Sequence, residues 1–353
     1  MELSNPIGVL PRGRCAPAAA LSGAHAQRRA GGCGFAHSFE SHTAKCSRPW
    51  ELRWDDVELA KEEPTGSAEV LGMGRSEPVY RGHLVQTGDP VAIKTLAAVN
   101  NLPRKHQQTV CERVRAQLDV CHDLKHENIV RYMGACTDLE QGIFIACEPV
   151  DGPNLREALD SKWDALHFDK CGKFIATCIA RALQYLHTLE QPVIHRDIKS
   201  SNILVTSSCS TAKLADVGYA YRDSSGRTKG STSVQWAAPE LWLSQQATPL
   251  SDVYSFGVVL WELLTGENAR WLQEKVLRNQ GLALPPDTNP LAADLCSRCL
   301  HMRPKDRPSA SEIVHELERM PSGAAVHAQR KAATAASAHQ QQEEYGGPTL
   351  AMA

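Results

Sequence analysis

The sequence predicts an α+β protein with two lobes, a small β-rich lobe over residues 54–150 and a larger, mainly helical lobe over residues 151–320. Short apolar runs at 90–93 and 143–146 favour strands in the first lobe, and one amphipathic stretch at 107–124 favours a helix. In the second lobe, apolar residues recur at helical spacing instead. The clearest such run consists of Phe174, Ile175, Cys178, Ile179, Ala182, Leu183 and Leu186.

Two segments of different composition flank this domain. Residues 1–48 are rich in Ala, Gly, Ser and Arg and lack an apolar period, which predicts a disordered N-terminal tail. Glu2 is the only acid before Glu40, and because organelle transit peptides are also poor in acids, a targeting segment is the alternative. Residues 321–353 contain few large apolar side chains to offset the entropy of ordering, so we expect a second disordered tail.

Composition restricts the partners and the compartment. The 353 residues carry a formal charge of -2, so no basic excess indicates nucleic acid. The longest nearly unbroken apolar run, at 256–264, contains Glu262 and is too short to cross a bilayer, which predicts no transmembrane segment.

The twelve cysteines are scattered, as is usual for free thiols in the cytoplasm. Cys296 and Cys299 form a lone CxxC pair, which favours buried apolar residues over a metal or redox site.

Three motifs follow one another along the chain: VAIK at 91–94, HRDIKSSN at 195–202 and KLADVG at 213–218. Together they resemble the eukaryotic protein kinase family. The HRDIKSSN motif and the run SDVYSFGVVLWELLTG at 251–266 are most similar to the tyrosine-kinase-like group of serine/threonine kinases, which includes Raf-related and plant receptor-like enzymes. The resemblance covers residues 54–320 and implies the two-lobed kinase fold.

The resemblance also implies an ATP site around Lys94, an isolated charge in an apolar strand that a phosphate would balance. The glycine-rich loop upstream keeps two of the three family glycines and carries Glu77 at the third position, where a carboxylate disfavours phosphate. Glu148 and Val150 would contact the adenine edge through their backbones, just after Cys147 at the gatekeeper position. The implied nucleotide-binding residues are Leu71, Gly72, Gly74, Val79, Ala92, Lys94, Glu148, Val150 and Leu204. Ordinary core packing is the alternative for the apolar ones.

In the family, the strand lysine also pairs with a glutamate on the following helix. Counting back from the segment LKHENIV at 124–130 places Gln117 at that position. A glutamine can accept a hydrogen bond from Lys94 but cannot balance its charge. Glu112 is an alternative partner only if the helix shifts by more than one turn.

By the same resemblance, Asp197 would accept the proton of the substrate hydroxyl and Lys199 would neutralise the transferred phosphoryl group. Asn202 and Asp216 would bind Mg²⁺, which prefers oxygen ligands. Val217 replaces the aromatic residue of the family's DFG segment. Because valine packs less area than an aromatic ring, we expect this segment to change more easily between its active and inactive positions.

The segment between the metal loop and Glu240 is the implied activation segment, closed by the APE triplet at 238–240. Glu240 is expected to pair with Arg307. A phosphate on one of the segment's hydroxyls could pair with Arg196 and order the loop, and an unmodified solvated loop is the alternative. The hydroxyls are those of Ser224, Ser225, Thr228, Ser231, Thr232 and Ser233.

These motifs predict a serine/threonine protein kinase that uses ATP and Mg²⁺ and modifies protein hydroxyls. The competing hypothesis is a pseudokinase scaffold with little or no phosphate transfer, because Glu77, Gln117 and Val217 all depart from the family pattern. The intact APE triplet disfavours a small-molecule phosphotransferase. The upstream activator and the substrate are left open.

Overall fold

A computed structural model describes residues 48–73, 78–217, 234–243, 246–269 and 284–321. An antiparallel sheet forms the first lobe and helices dominate the second, which confirms the predicted two-lobed α+β fold. The strands are β1 (Val57–Leu59), β2 (Val70–Met73), β3 (Pro78–Leu84), β4 (Pro90–Thr95), β5 (Tyr132–Cys136), β6 (Phe144–Cys147), β7 (Ile203–Val205) and β8 (Ala212–Leu214). The helices are α1 (Arg104–Cys121), α2 (Leu155–Leu166), α3 (Lys173–Thr188), α4 (Pro239–Trp242), α5 (Pro249–Thr265), α6 (Pro290–Cys299) and α7 (Ala310–Arg319). Nearly all of the two predicted tails lies outside the described residues.

The sheet of the first lobe has the order β1-β3-β4-β6-β5, and β2 also pairs with β3. In β4, Val91 and Ile93 are fully buried. Because side chains alternate along a strand, Ala92 and Lys94 lie together on the opposite face. The strand register then places Val79 of β3 beside Lys94, and Cys147 of β6 beside Ala92. Residues predicted to surround a nucleotide therefore share one region of the sheet.

Helix α1 begins and ends three residues earlier than the predicted helix at 107–124. Its first residues, 104–106, are exposed and so contribute nothing to an apolar period. The buried face carries Val114, Leu118 and Cys121, and Gln117 lies on it with only 9% of its surface exposed. A polar side chain on this face requires hydrogen-bond partners inside the protein.

Residues before position 54 also pack on the first lobe. The Trp50 side chain is buried and its indole N–H donates to Asp119 Oδ1 of α1 at 3.0 Å. Arg48 donates to the other oxygen of the same carboxylate at 2.9 Å. The folded part of the chain therefore begins before the expected boundary, because a tryptophan next to that boundary supplies apolar area to the lobe.

Helix α5 lies at the centre of the second lobe, where every residue from 251 to 264 is buried. The helix begins with a capping box at Thr248 and ends at Gly266, whose φ of 73° lies in the left-handed region that glycine tolerates. It packs against α3 and α6. At Gly257 an added Cβ would lie 2.8 Å from Cys299 Cβ, so this glycine permits the close approach of α5 and α6.

The cysteines that the structure describes all carry free thiols. Cys296 and Cys299 are fully buried on α6, and Cys296 Sγ lies 3.5 Å from the Gly257 carbonyl. Burial raises the pKa of the Cys299 thiol to about 12, which keeps it protonated and inert. Among the described residues, no helix combines the length and the apolar character needed to span a membrane.

Candidate active site

The loop that carries the HRDIKSSN motif is held by a buried carboxylate of α5. Asp252 accepts the backbone N–H of His195 at 2.7 Å and that of Arg196 at 2.8 Å. His187 Nε2 lies 3.0 Å from the same carboxylate. Arg196 has a φ of 66°, a left-handed conformation that a non-glycine residue adopts only where its surroundings impose it. Asp252 provides that constraint from the centre of the helical lobe.

His195 joins this loop to the segment that carries Asp216. Its Nδ1 accepts the backbone N–H of Asp197 at 3.3 Å, so Nε2 carries the proton and donates to the Ala215 carbonyl at 3.0 Å. Burial lowers the pKa of His195, which keeps the ring neutral and preserves this tautomer. The Ala215 N–H in turn donates to the Asn202 carbonyl at 2.8 Å. The two motifs are thus joined by one hydrogen bond from a side chain and one between backbone groups.

Asp197, Lys199 and Asn202 form one buried cluster. Lys199 Nζ lies 2.5 Å from Asp197 Oδ2, and Asn202 Nδ2 donates to the same oxygen at 3.0 Å and to the Asp197 carbonyl at 2.8 Å. All three side chains are less than 10% exposed. The 3₁₀ turn Ser200–Asn202 brings the amide back towards the acid. The structure therefore brings together the predicted base, the predicted phosphate-neutralising lysine and one predicted metal ligand.

Lys94 pairs directly with Asp216 across the two lobes. Its ammonium lies 3.0 Å and 3.1 Å from the two carboxylate oxygens. Burial alone would raise the pKa of Asp216, but the charge and hydrogen bonds of Lys94 outweigh burial and hold this pKa below its ordinary value. Asp216 also has a left-handed φ of 57°. The carboxylate is thus ionised and held in one position, as a cation-binding oxygen group requires.

Gln117 has a different role from the one expected. Its Nε2 donates to the Val217 carbonyl at 2.9 Å and to the Tyr132 hydroxyl at 3.1 Å. The charge of Lys94 is balanced by Asp216 instead, which a sequence count could not reveal because the two residues are 122 positions apart. Glu112 lies on the exposed side of α1, as expected for an unshifted helix.

The side-chain oxygen atoms of Asp216 and Asn202 are of the kind that Mg²⁺ prefers. Asp216 offers a carboxylate that is 32% exposed, and Asn202, whose Nδ2 serves Asp197, offers its amide oxygen. Mg²⁺ usually keeps several waters and takes one or two protein ligands together with phosphate oxygens. Within the described part of the chain no cluster of three or more His, Cys, Asp and Glu side chains forms a metal site. These two residues therefore suit an ion that arrives with a nucleotide.

The strand registers show where several of the predicted nucleotide-binding residues lie. Gly72 of β2 lies opposite Val79 of β3, and Val79 lies opposite Lys94 of β4, so these three residues follow one another across neighbouring strands. Leu204 lies on β7, which pairs with β8. Gly74 and Glu77 lie outside the described residues. The apolar side chains with this predicted role are partly exposed, as pocket walls are and core residues are not: Leu71, Val79, Ala92 and Leu204.

Residues 148–152, where the two lobes meet along the chain, make hydrogen bonds within the protein. The Glu148 N–H donates to the Arg131 carbonyl at 2.9 Å, so only the Glu148 carbonyl is left for an adenine amino group. The Glu148 side chain accepts from Lys213 of β8 at 2.8 Å. The Val150 carbonyl accepts from Gly152 at 3.1 Å. Burial raises the pKa of the neighbouring Cys147 thiol to about 12.

The expected pair between Glu240 and Arg307 is confirmed. The guanidinium makes two parallel hydrogen bonds to the carboxylate, at 2.7 Å and 2.8 Å, and the Arg307 side chain is fully buried. Arg307 also lies 4.9 Å from the centre of the Tyr254 ring. The pair joins the end of the activation segment to the helical lobe. The hydroxyls proposed for phosphorylation lie outside the described residues.

Sequence reasoning missed two acids of α5 that support the site. Asp252 holds the loop that carries the HRDIKSSN motif. Glu262 is fully buried and accepts from Ser200 and Arg156 at 3.1 Å each and from Trp236 at 3.1 Å. Burial raises the pKa of this carboxyl. Both acids lie in a mostly apolar stretch of the sequence. Because a buried carboxylate needs hydrogen-bond or charged partners, this pattern by itself indicates that such partners exist.

Comparison with known proteins agrees with this geometry. The family model of the protein kinase domain matches residues 66–317. A receptor-like cytoplasmic serine/threonine-protein kinase of Nicotiana benthamiana is 34% identical in an alignment of length 286 that covers 71% of this chain and 60% of that protein. A probable serine/threonine-protein kinase of Dictyostelium discoideum is 34% identical in an alignment of length 281 that covers 76% of this chain and 29% of that protein.

A second probable serine/threonine-protein kinase of Dictyostelium discoideum, drkD, is 33% identical in an alignment of length 288 that covers 77% of this chain and 20% of that protein. The chain therefore spans less than two thirds of each of these relatives. The matched region contains the VAIK, HRDIKSSN and KLADVG motifs. The chain belongs to the eukaryotic protein kinase family, and receptor-like serine/threonine kinases are among its relatives.

Proposed function

We propose that this chain transfers the γ-phosphoryl group of ATP to a serine or threonine hydroxyl of a protein. The observation that carries the proposal is the buried cluster of Asp197, Lys199 and Asn202, set beside an ionised Asp216 that Lys94 holds. Together these residues would supply a proton acceptor, a fixed positive charge and two oxygen ligands for a cation. Phosphate transfer needs little more than such positioning and charge.

In this mechanism Asp197 accepts the proton while the hydroxyl oxygen forms its bond to the γ-phosphorus and the bond to the β–γ bridging oxygen breaks. Lys199 lies next to Asp197 and stabilises the negative charge on the transferred group. Lys94 would hold a phosphate of ATP. Asp216 and Asn202 would hold Mg²⁺, which supplies positive charge to the phosphates. ADP and the phosphorylated protein are the products.

Purified protein incubated with radiolabelled ATP, Mg²⁺ and a generic protein substrate tests the proposal. We expect transfer that Asp197→Asn reduces by at least about 100-fold, because the general base is lost. Asp123→Asn is the matched control, since this side chain is 93% exposed. Acid hydrolysis of the product should yield phosphoserine or phosphothreonine. Equal background transfer by the wild type and Asp197→Asn would favour a pseudokinase.

We also propose that the chain acts in the cytoplasm, which is what the name of the plant relative states for that protein. A fusion of the full chain to a fluorescent protein tests this by microscopy. A second fusion that lacks residues 1–47 tests for targeting. Organellar fluorescence that requires those residues would contradict a cytoplasmic location.

A further inference from the structure

Three side chains converge on one backbone oxygen next to the metal-binding carboxylate. The Val217 carbonyl accepts from Gln117 Nε2 at 2.9 Å, from the Tyr132 hydroxyl at 3.1 Å and from Cys121 Sγ at 3.2 Å. Gln117 and Cys121 are one turn apart on α1, and Tyr132 begins β5. All four residues are at least nine-tenths buried. No other role in the proposed mechanism explains these contacts.

The hydrogen atoms of this cluster can be placed without ambiguity. The carbonyl can only accept, so the nearest atom of Gln117 must be its amide nitrogen. That nitrogen has two hydrogens, one for Val217 and one for the Tyr132 hydroxyl at 3.1 Å. The hydroxyl then directs its own hydrogen to Val217. Burial raises the pKa of both Tyr132 and Cys121, so both remain protonated donors at neutral pH.

We propose that Gln117 is a positioning residue for Asp216, acting through the Val217 carbonyl. Asp216 has a left-handed φ, which the surrounding structure must maintain. The preceding carbonyl, that of Ala215, accepts from His195, and the following carbonyl, that of Val217, accepts from the Gln117 cluster. Hydrogen bonds thus hold the backbone at the residue before Asp216 and at the residue after it. This inference rests on the proposed function, because it concerns the metal ligand of that site.

A glutamate at position 117 could not donate the hydrogen bond that Gln117 makes to the Val217 carbonyl. In Gln117→Glu, a carboxylate oxygen would replace the amide nitrogen beside the Val217 oxygen, and two acceptors would face each other. The Tyr132 hydroxyl would then turn its hydrogen to the carboxylate. The Val217 carbonyl would keep one donor, the Cys121 thiol, in place of three. If the missing ion pair with Lys94 were the limiting feature, the same substitution would instead improve the site.

Calorimetric titration of the full chain with ADP, with and without Mg²⁺, separates these two views. We expect Gln117→Glu to weaken ADP binding about tenfold in Mg²⁺ and less than about twofold in its absence, because only the metal ligand is displaced. Gln108→Glu is the matched control, since the same substitution falls on an exposed position of the same helix. Tyr132→Phe, which keeps the buried ring, should weaken ADP binding in Mg²⁺ about threefold. It replaces Gln117→Glu as the test if that variant does not fold.

Several results would overturn the inference. One is unchanged or tighter ADP binding by Gln117→Glu in Mg²⁺, and another is an equal loss with and without Mg²⁺. A wild type whose ADP affinity does not respond to Mg²⁺ would also overturn it, because Asp216 would then bind no metal. A wild type that binds MgADP but transfers no phosphate would refute only the proposed function, and the affinity ratios would still decide the role of Gln117.

Discussion

Asp252 accepts the backbone N–H of His195 at 2.7 Å although the two residues are 57 positions apart in the chain. The acid belongs to the buried helix α5, and its second oxygen accepts the N–H of Arg196. One side chain therefore determines the path of the loop that carries the proposed base. The geometry of the site depends on the core of the helical lobe as well as on the residues that face the cleft.

Asp252→Asn should destabilise the protein and slow phosphate transfer. The amide keeps one acceptor but places an NH₂ group against a backbone N–H, so we expect the free energy of unfolding to fall by about 1–3 kcal/mol. Urea denaturation measures this change, and the transfer assay measures the rate. Asp294→Asn is the control, because that side chain is 66% exposed. A free energy of unfolding equal to that of the wild type would contradict the anchoring role.

Arg307→Met should cost about 3–5 kcal/mol of folding free energy, because it leaves Glu240 buried without its cation. Burial raises the pKa of Glu240, but the hydrogen bonds and charge of Arg307 together with the other hydrogen bonds to the carboxylate outweigh burial and lower this pKa. The variant loses the contribution of Arg307. Arg53→Met removes an arginine whose partner Asp55 is 86% exposed and should cost less than about 1 kcal/mol. Similar losses in the two variants, measured by urea denaturation, would show that burial of the pair is unimportant.

The Lys94–Asp216 pair should make stability depend on pH in acid. The folded-state pKa of Asp216 is below its ordinary value, so the unfolded chain binds more protons between the two values. The stabilisation is therefore complete above the unfolded pKa and is lost as the pH falls through the folded pKa. We expect the gap in unfolding free energy between wild type and Asp216→Asn to be constant from about pH 5 to 7 and to shrink below about pH 4. Urea denaturation at each pH measures this gap, and a gap that widens in acid would disprove the assignment.

Val217→Phe should not improve the protein, although it restores the aromatic residue of the family motif. The Val217 side chain is fully buried, so the larger ring must displace its neighbours, and we expect a loss of about 1–3 kcal/mol. Thermal and urea denaturation measure the loss, and the transfer assay shows whether activity follows. The conservative substitution Val217→Ile, which adds one methylene, should cost less. A stabilised Val217→Phe variant would show that the site has unfilled space.

The sequence allowed much of this description to be predicted. Apolar residues that alternate as in strands and apolar residues that recur as in helices separated the two lobes correctly. The CxxC pair was also correctly assigned to buried positions of a helix. The start of α1 was missed because Arg104, Lys105 and His106 are exposed and have no apolar spacing. The pair of Glu240 and Arg307 was predicted because both belong to recognisable motifs.

By itself the sequence determined the family, the fold class and the candidate base, lysines and metal ligands, because each is carried by a short contiguous motif or a regular period. Only the tertiary structure decided which side chains balance and hold them. Lys94 pairs with Asp216, and Gln117 reaches Val217 across 100 positions of the chain. No local spacing encodes such contacts. They arise because burial leaves each polar group only those partners that the packing of the two lobes brings within hydrogen-bond distance.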